Sequence, residues 1–479
     1  MRDGQVLADY EAVKPPPRPE PGAGEWGALS EEAAPAADEF PRARRKAKKS
    51  KPSKLRAESW VGRRGHLFTY AGLFLFTAFV YFRPYELFEV PALREGAQWV
   101  AILTLLCYLP AQFAAEGNLT ARPREVVCGL LLLAAALLSV PTAIVPGEAW
   151  DNFVEFSKVI LMFVVAVNVL NTERRLRWLI MLVLAASVLL SFSAFSDYRA
   201  GRFEFGGGRV KGMLGGMFDN PNDLAMHLVT MVPLALGLAF ARRGVLSKVV
   251  YLLCATLFVA GVVVTFSRGG FLGLTVSGVV MAWKLGRKNR FVVMTLAALV
   301  LCVFVAAAPG GYGDRVASMF GGDVTGSAAA RKDIFWRSML VALRHPVNGI
   351  GLGNFHHQGQ HDQVSHNAYT QVAAEMGFGA LAVYLLLMVS PFRRLREIER
   401  EALGVKERAA FYYLSVAFQA SLAGYMVTSF FASVAHLWYV YYLVAYAVCL
   451  RRLYTLKFGA ETQEVKENVA PATAATATL

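Results

Sequence analysis

The chain has 479 residues, of which 55% are hydrophobic and only 18% charged, with a mean hydropathy of +0.40. This balance excludes a soluble globular protein of this length and indicates a polytopic membrane protein. A formal net charge of +14 would suit a nucleic-acid binder, but the basic residues are distributed as membrane topology requires, so no nucleic-acid partner is expected.

Residues 1–64 are rich in Pro, Glu, Ala and Lys and poor in aromatics, and close on a basic run from Arg42 to Arg64. They predict a disordered cytoplasmic leader. A polar stretch ahead of the first apolar run argues against a signal peptide, so the first span is expected to remain as an anchor. Twelve apolar stretches follow, near 66–82, 97–112, 125–145, 153–170, 178–196, 222–240, 249–266, 271–283, 291–308, 372–392, 409–430 and 437–450. Each predicts a helix across a hydrocarbon core about 30 Å thick, some with tilt or local thinning. The shortest, 271–283, is expected to extend into its flanks. The Ala/Thr-rich end, 458–479, predicts a disordered tail. The expected fold is an all-α polytopic membrane protein with about twelve transmembrane helices.

With the first residues inside, five loops fall in the cytoplasm: 113–124, 171–177, 241–248, 284–290 and 393–408. They hold 18 Lys/Arg in 50 residues, whereas the six outer segments (83–96, 146–152, 197–221, 267–270, 309–371 and 431–436) hold 12 in 119. This positive-inside bias places both termini in the cytoplasm. The five cysteines, Cys107, Cys128, Cys254, Cys302 and Cys449, lie in or beside apolar stretches without CxxC spacing and read as packing residues. Glu155 and Lys158, three apart, predict a mutual helix pair.

Chemistry concentrates on the outer face. The segment 197–221 contains FEFGGGRVKGMLGGMFDNP, where glycines allow backbone to approach a ligand and Arg209 and Lys211 supply charge. Asp219, Asn220, Asn222 or Asp223 can cap the following helix. Arg268 stands in a four-residue gap, Ser267 to Gly270. Snorkelling to headgroups is its simplest role, but the flanking Ser and glycines suggest a tight turn with backbone N–H groups free for an anion. In 309–371, Ile334, Phe335, Trp336, Met339, Leu340 and Leu343 recur at helical spacing with Arg331, Asp333 and Arg337 between them. They predict an amphipathic helix packed on the bundle as a lid and ended by Pro346. His356, His357, His361 and His366 with Asp362 invite a metal reading, yet no pair has a recognised zinc spacing, so a polar loop is preferred and no metal is expected. His366 and Tyr369 share a helix face in HNAYTQVAAEMGFG, and Glu375, more than two turns in, needs a partner or water at that depth.

Three stretches in this order, GGGRVKGMLGGMFDNPNDLA, VTFSRGGFLGL and RKDIFWRSMLVALRHPVNGIGLGNF running on to SHNAYTQVAAEMGFG, resemble the O-antigen ligase and O-antigen polymerase family of bacterial inner-membrane glycosyltransferases, over roughly residues 200–390. The resemblance implies a membrane glycosyltransferase type C-like bundle with a periplasmic helical loop. It divides the chain into N-terminal transmembrane helices (65–200), a catalytic region (201–392) with its periplasmic loop at 309–371, and C-terminal transmembrane helices (393–457). It further implies transfer of a glycan from an undecaprenyl diphosphate carrier to a hydroxyl acceptor on a glycolipid or glycan, with no metal or other cofactor. The active site would face the periplasm among membrane lipids. On the matching positions, Arg209 and Arg268 would bind the diphosphate and His366 would lie at the reaction centre. Arg331 and Glu375 match recurrent positions, and Lys211 and Tyr369 are candidate substrate contacts.

Residue chemistry agrees with that implication. A departing diphosphate needs permanent positive charge, which arginine supplies, and histidine can take a proton from the acceptor hydroxyl. A single displacement, with inversion at the anomeric carbon, is expected. Ligation of finished polysaccharide to lipid A core and polymerisation of lipid-linked repeats use the same chemistry and stay open. A polysaccharide transporter or flippase is the reading from another class; it predicts internal repeats with broken helices in equivalent positions, and no such repeat is visible.

Overall fold

The computed structural model describes residues 60–286, apart from 89, 91, 92, 94, 204–208, 211, 212, 214, 216 and 217, together with 291, 326–358 and 364–475. The leader through residue 59, Lys211, Cys302, His361, Asp362 and nearly all of the span expected at 291–308 lie outside the described residues. Residues 56–479 form one compact unit.

Among the described residues the chain is all-helical, with no strand element. The principal helices are α1 (Trp60–Phe82), α2 (Gly96–Glu116), α3 (Arg124–Ser139), α4 (Pro146–Val169), α5 (Glu173–Arg199), α6 (Pro221–Ala241), α7 (Val245–Val264), α8 (Arg268–Leu285), α9 (Gly326–Arg344), α10 (Ala368–Ala402), α11 (Ala409–Thr428) and α12 (Trp438–Ala475). Eight of them, α2 to α7, α10 and α11, are long and apolar enough to cross a membrane, and α1 carries a shorter apolar stretch, His66–Phe82. The expectation of about twelve spans therefore stands at eight among the described residues. The eighth stretch extends into its flanks as expected, over Arg268–Leu285, which puts Arg268 on a helix and not in a gap. One boundary differs from expectation: α12 continues helically to Ala475, through most of the expected disordered tail.

Helices α6 and α11 lie innermost and pack on each other, with α7 and α8 beside them. Small residues permit close approach. A Cβ on Gly237 would stand 2.6 Å from the Ala417 Cβ, and one on Gly424 would stand 2.1 Å from Ser277 Oγ. Hydroxyls then bond across helices, as they must where water is absent. Ser421 Oγ donates to the Thr230 carbonyl at 2.6 Å and Ser277 Oγ to that of Ala420 at 2.9 Å. Helix α2 turns Leu103, Leu106 and Phe113 outward, more than 60% exposed, which is the surface a lipid-facing helix needs. Glu155 and Lys158 pair at 2.5 Å, as their spacing predicts. Cys107, Cys128, Cys254 and Cys449 are free, the second and last of them buried.

Helix α10 is broken at Gly377 (φ 86°, ψ 172°). The turn before it fills the break. Phe378 N–H donates to the Pro346 carbonyl at 2.9 Å, while Ile350 and Gly351 N–H groups take the carbonyls of Ala374 and Glu375 at 2.9 and 3.1 Å. Only glycine fits at Gly377, where a Cβ would sit 2.1 Å from the Val347 oxygen. The same turn is tied to the α3–α4 connection. Ile144 N–H donates to the Ile350 carbonyl at 3.1 Å, Val145 N–H to Asn354 Oδ1 at 2.7 Å, and Leu352 N–H to Ser139 Oγ at 3.2 Å. Helix α9, expected from its apolar spacing, packs Ile334, Val341 and Ala342 against Ala373 and Ala374 of α10 in a small core of its own.

Candidate active site

The site is assembled where α6, α8 and α10 begin. Asn220 caps α6, its Oδ1 accepting from Asn222 N–H at 2.9 Å, with Pro221 in the first helical position. That frees the Asn222 side chain for another task. Its Oδ1 accepts from Arg209 Nη2 at 2.8 Å and from Ser267 Oγ at 2.9 Å, while Arg209 Nε donates to the Thr265 carbonyl at 3.0 Å. Ser267 in turn caps α8, its Oγ accepting from Gly270 N–H at 3.2 Å. Arg209, Asn222 and Ser267 thus fix the first turn of α8, where Arg268 stands half-buried.

The glycines after Arg268 do not make the tight turn expected of them. Both are helical, and the turn falls at Phe266, whose φ is 48°. Their role is close packing: a Cβ on Gly269 would meet the Phe431 Cβ at 2.9 Å, and one on Gly270 the Ala225 Cβ at 2.8 Å. The Gly270 N–H is engaged by Ser267 rather than left for an anion.

Arg331 of α9 and His366 complete the cluster. Burial and then the charge of Arg268 lower the Arg331 pKa, and burial and then the charge of Arg331 lower that of His366. Two guanidinium groups and an imidazole therefore share one electrostatic environment. His366 is held in the left-handed region at φ 52°, a conformation that costs a non-glycine residue roughly 1–2 kcal/mol. Its N–H donates to Ser433 Oγ at 2.8 Å, and Asn367 caps α10 by accepting from Tyr369 and Thr370 N–H. His366 therefore precedes the helix and does not share a helical face with Tyr369. The Tyr369 hydroxyl donates to the Met426 carbonyl at 2.6 Å and accepts from Ser429 Oγ at 3.2 Å, binding α10 to α11.

Phe430 and Phe431, just past α11, sit where these parts meet. Phe430 lies 6.3 Å from the Tyr369 ring and 6.0 Å from that of Phe335, one turn beyond Arg331, and Phe431 lies against Gly269. The starts of α6 and α8 are thus joined through Asn222 and Ser267, and that of α10 lies against Phe430, beside Phe431 on Gly269, in a region that also holds Arg268 and Arg331. Dipole ends and guanidinium groups together favour an anion there.

Glu375 is apart from this cluster, buried seven residues into α10 and so roughly 10 Å along the axis from Ala368. It lies at the helix break, 3.9 Å from Nδ1 of His436, whose imidazole is pushed by burial down to about 4. His356 and His357 are also elsewhere, facing Glu148. Asn222, Ser433 and His436 were missed in the sequence. Asn222 was visible only as one of several possible caps, and no local pattern marks Ser433 or His436.

Residues 252–385 match the family model described as O-antigen ligase. That stretch is similar to the O-antigen ligase family. The match covers the later part of the 200–390 stretch that carries the resemblance and includes Arg268, Arg331, His366, Tyr369 and Glu375; Arg209 precedes it. It supports an O-antigen ligase- or polymerase-type function and, generally, lipid-linked glycan substrates. A chain from a solved peptidoglycan synthase complex, described in terms of coordinated polymerization and crosslinking, aligns at 17% identity over 70% of this chain and 97% of its own, with a TM-score of 0.40. No curated protein matches.

Proposed function

We propose that the chain is an O-antigen ligase-type glycosyltransferase of the bacterial inner membrane, moving a glycan from undecaprenyl diphosphate to a hydroxyl of lipid A core at the periplasmic face. The observation that carries this reading is the grouping of Arg268, Arg331 and His366 in one electrostatic environment, at the start of α8 and α10.

His366 acts as general base. Its lowered pKa keeps the imidazole neutral and able to take the acceptor's proton near pH 7. The acceptor oxygen attacks the anomeric carbon, the carbon–oxygen bond to the diphosphate breaks, and the configuration inverts. Arg268 and Arg331 hold the negative charge that develops on the leaving diphosphate, and helix N-termini add fixed partial charge. Arg209, with two nitrogens on Thr265 and Asn222, contributes further charge and braces the turn that presents Arg268. The reaction needs no metal or other cofactor. Lys211, two positions after Arg209 in the sequence, is assigned to donor binding, Tyr369 to the wall of the site, and Glu375 to holding the broken helix.

In a membrane assay with lipid-linked glycan, Arg268→Ala and His366→Ala are expected to lower transfer by about 100-fold or more, the usual weight of a lost charge stabiliser or base. Near-normal transfer by both variants would sink the mechanism. A polymerase joining lipid-linked repeats would use the same residues, so the acceptor is read from a deletion strain. Unattached long carrier-linked polymer identifies a ligase, and acceptors bearing at most one repeat identify a polymerase.

A further inference from the structure

Glu148, in the first turn of α4, faces His356 and His357, which lie on the short 3-10 turn Asn354–Gln358. The carboxylate is bracketed by the two rings. Its Oε1 lies 3.2 Å from His356 Nε2 and its Oε2 lies 2.6 Å from His357 Nε2. The ring centroids are 4.0 Å apart, and one donor atom from each of the three residues falls within 4.8 Å of the others. Tetrahedral zinc, with bonds near 2.1 Å to nitrogen and oxygen, places its ligand atoms roughly 3.4 Å from one another. Small side-chain rotations would bring these three atoms to that spacing.

A second observation concerns which nitrogen is available. His356 Nδ1 lies 2.9 Å from the Gly353 carbonyl, which can only accept, so Nδ1 carries its hydrogen. Nε2 is then the atom that offers a lone pair toward the carboxylate. A ligating histidine is commonly oriented in this way, by a backbone carbonyl on its other nitrogen. Gly353 itself is fitted to the start of α4. Its φ is 78°, a Cβ there would strike Asn152 Nδ2 at 2.3 Å, and that amide donates to the Glu148 carbonyl at 2.9 Å.

We propose that Glu148, His356 and His357 form a binding site for one divalent transition-metal cation of the zinc class. Two imidazoles and one carboxylate select such an ion over magnesium or calcium, which prefer all-oxygen shells. Exposures of 23–35% for the three side chains leave a path for entry and a fourth position for water. The ion would pin the turn after α9 to the first turn of α4, with His356 ten residues before His366. It stands outside the Arg268 cluster, and its role is structural, so the proposal does not depend on the transferase reading.

The test uses the full-length chain purified in detergent without a polyhistidine tag and stripped with a chelator. Zinc is titrated by competition with a fluorescent chelator, and thermal unfolding is followed with and without zinc. One zinc per chain is expected, with affinity weakened at least about tenfold in Glu148→Gln and more in His356→Ala/His357→Ala. Zinc should raise the melting temperature of the unsubstituted chain and not that of Glu148→Gln. His345→Ala, exposed and outside the cluster, should bind as the unsubstituted chain does. Zinc binding unchanged in Glu148→Gln and in the double variant, or no zinc bound by the unsubstituted chain, overturns the proposal and leaves a simple histidine–carboxylate pair. Should the double variant misfold, cobalt(II) in the unsubstituted chain decides. Intense visible absorption of a four-coordinate site supports the proposal, and its absence overturns it.

Discussion

His366 and Arg331 are coupled through charge, and the sign of that coupling is testable. A base works when neutral, so turnover should hold at neutral pH and fall as pH drops through the His366 pKa. Burial and Arg331 together set that pKa below the ordinary 6.5. Replacing Arg331 with Gln removes one of the two depressing influences, so the acid limb of the kcat profile should move to higher pH. A limb that stays in place would remove Arg331 from the environment of His366. Arg268 was singled out in the sequence because a charged group between apolar runs has few reasons to be there, and Arg331 and His366 by the family resemblance. Their helpers were not. Asn222 and Ser433 act through hydrogen bonds that reach residues 45 and 67 positions away, and such partners exist only once the helices have packed.

At the scale of elements, the helices were legible and their interruptions were not. Long apolar runs can be satisfied in a bilayer only as helices or closed barrels, and the starts of α6, α8 and α10 follow from Asn220, Ser267 and Asn367 as caps. The break at Gly377 leaves no such mark, since a glycine within an apolar run is ordinary in membrane helices. Its cause is tertiary, the insertion of residues 346–351. Gly377→Ala must place a Cβ 2.1 Å from a backbone oxygen at φ 86°, and the left-handed conformation alone costs roughly 1–2 kcal/mol. A clear fall in melting temperature is expected. Gly379→Ala, with nothing within 4 Å of its added Cβ, should leave the melting temperature nearly unchanged. Equal effects would show that the break is not rigidly packed.

The whole molecule is polarised. One end carries the arginine cluster and the helix starts. The other carries loops dense in Lys/Arg, with Lys284 Nζ bound at 2.6 Å to Glu399, a carboxylate that also accepts from Gln419 Nε2 at 3.0 Å. The positive-inside bias predicts that the second end is cytoplasmic. Cysteines placed at exposed Val347 and Leu246 test this. A membrane-impermeant maleimide should label Val347→Cys in intact spheroplasts and Leu246→Cys only after permeabilisation, against the unsubstituted chain as background. The reverse pattern would place the candidate site inside the cell.

The docking of residues 346–354 has a consequence for biogenesis. These residues supply donors and an acceptor to the broken α10 and, in the same few residues, bond to Ser139, Ile144 and Val145. The two partners lie some two hundred positions apart in the chain, and the earlier one leaves the ribosome first. The α3–α4 connection can wait in place, but the first two turns of α10 cannot settle until the turn has arrived to satisfy their carbonyls. Closure of this joint is thus a late, long-range step in assembly. A full-length chain arrested before this step would have its apolar helices inserted and His366 not yet aimed.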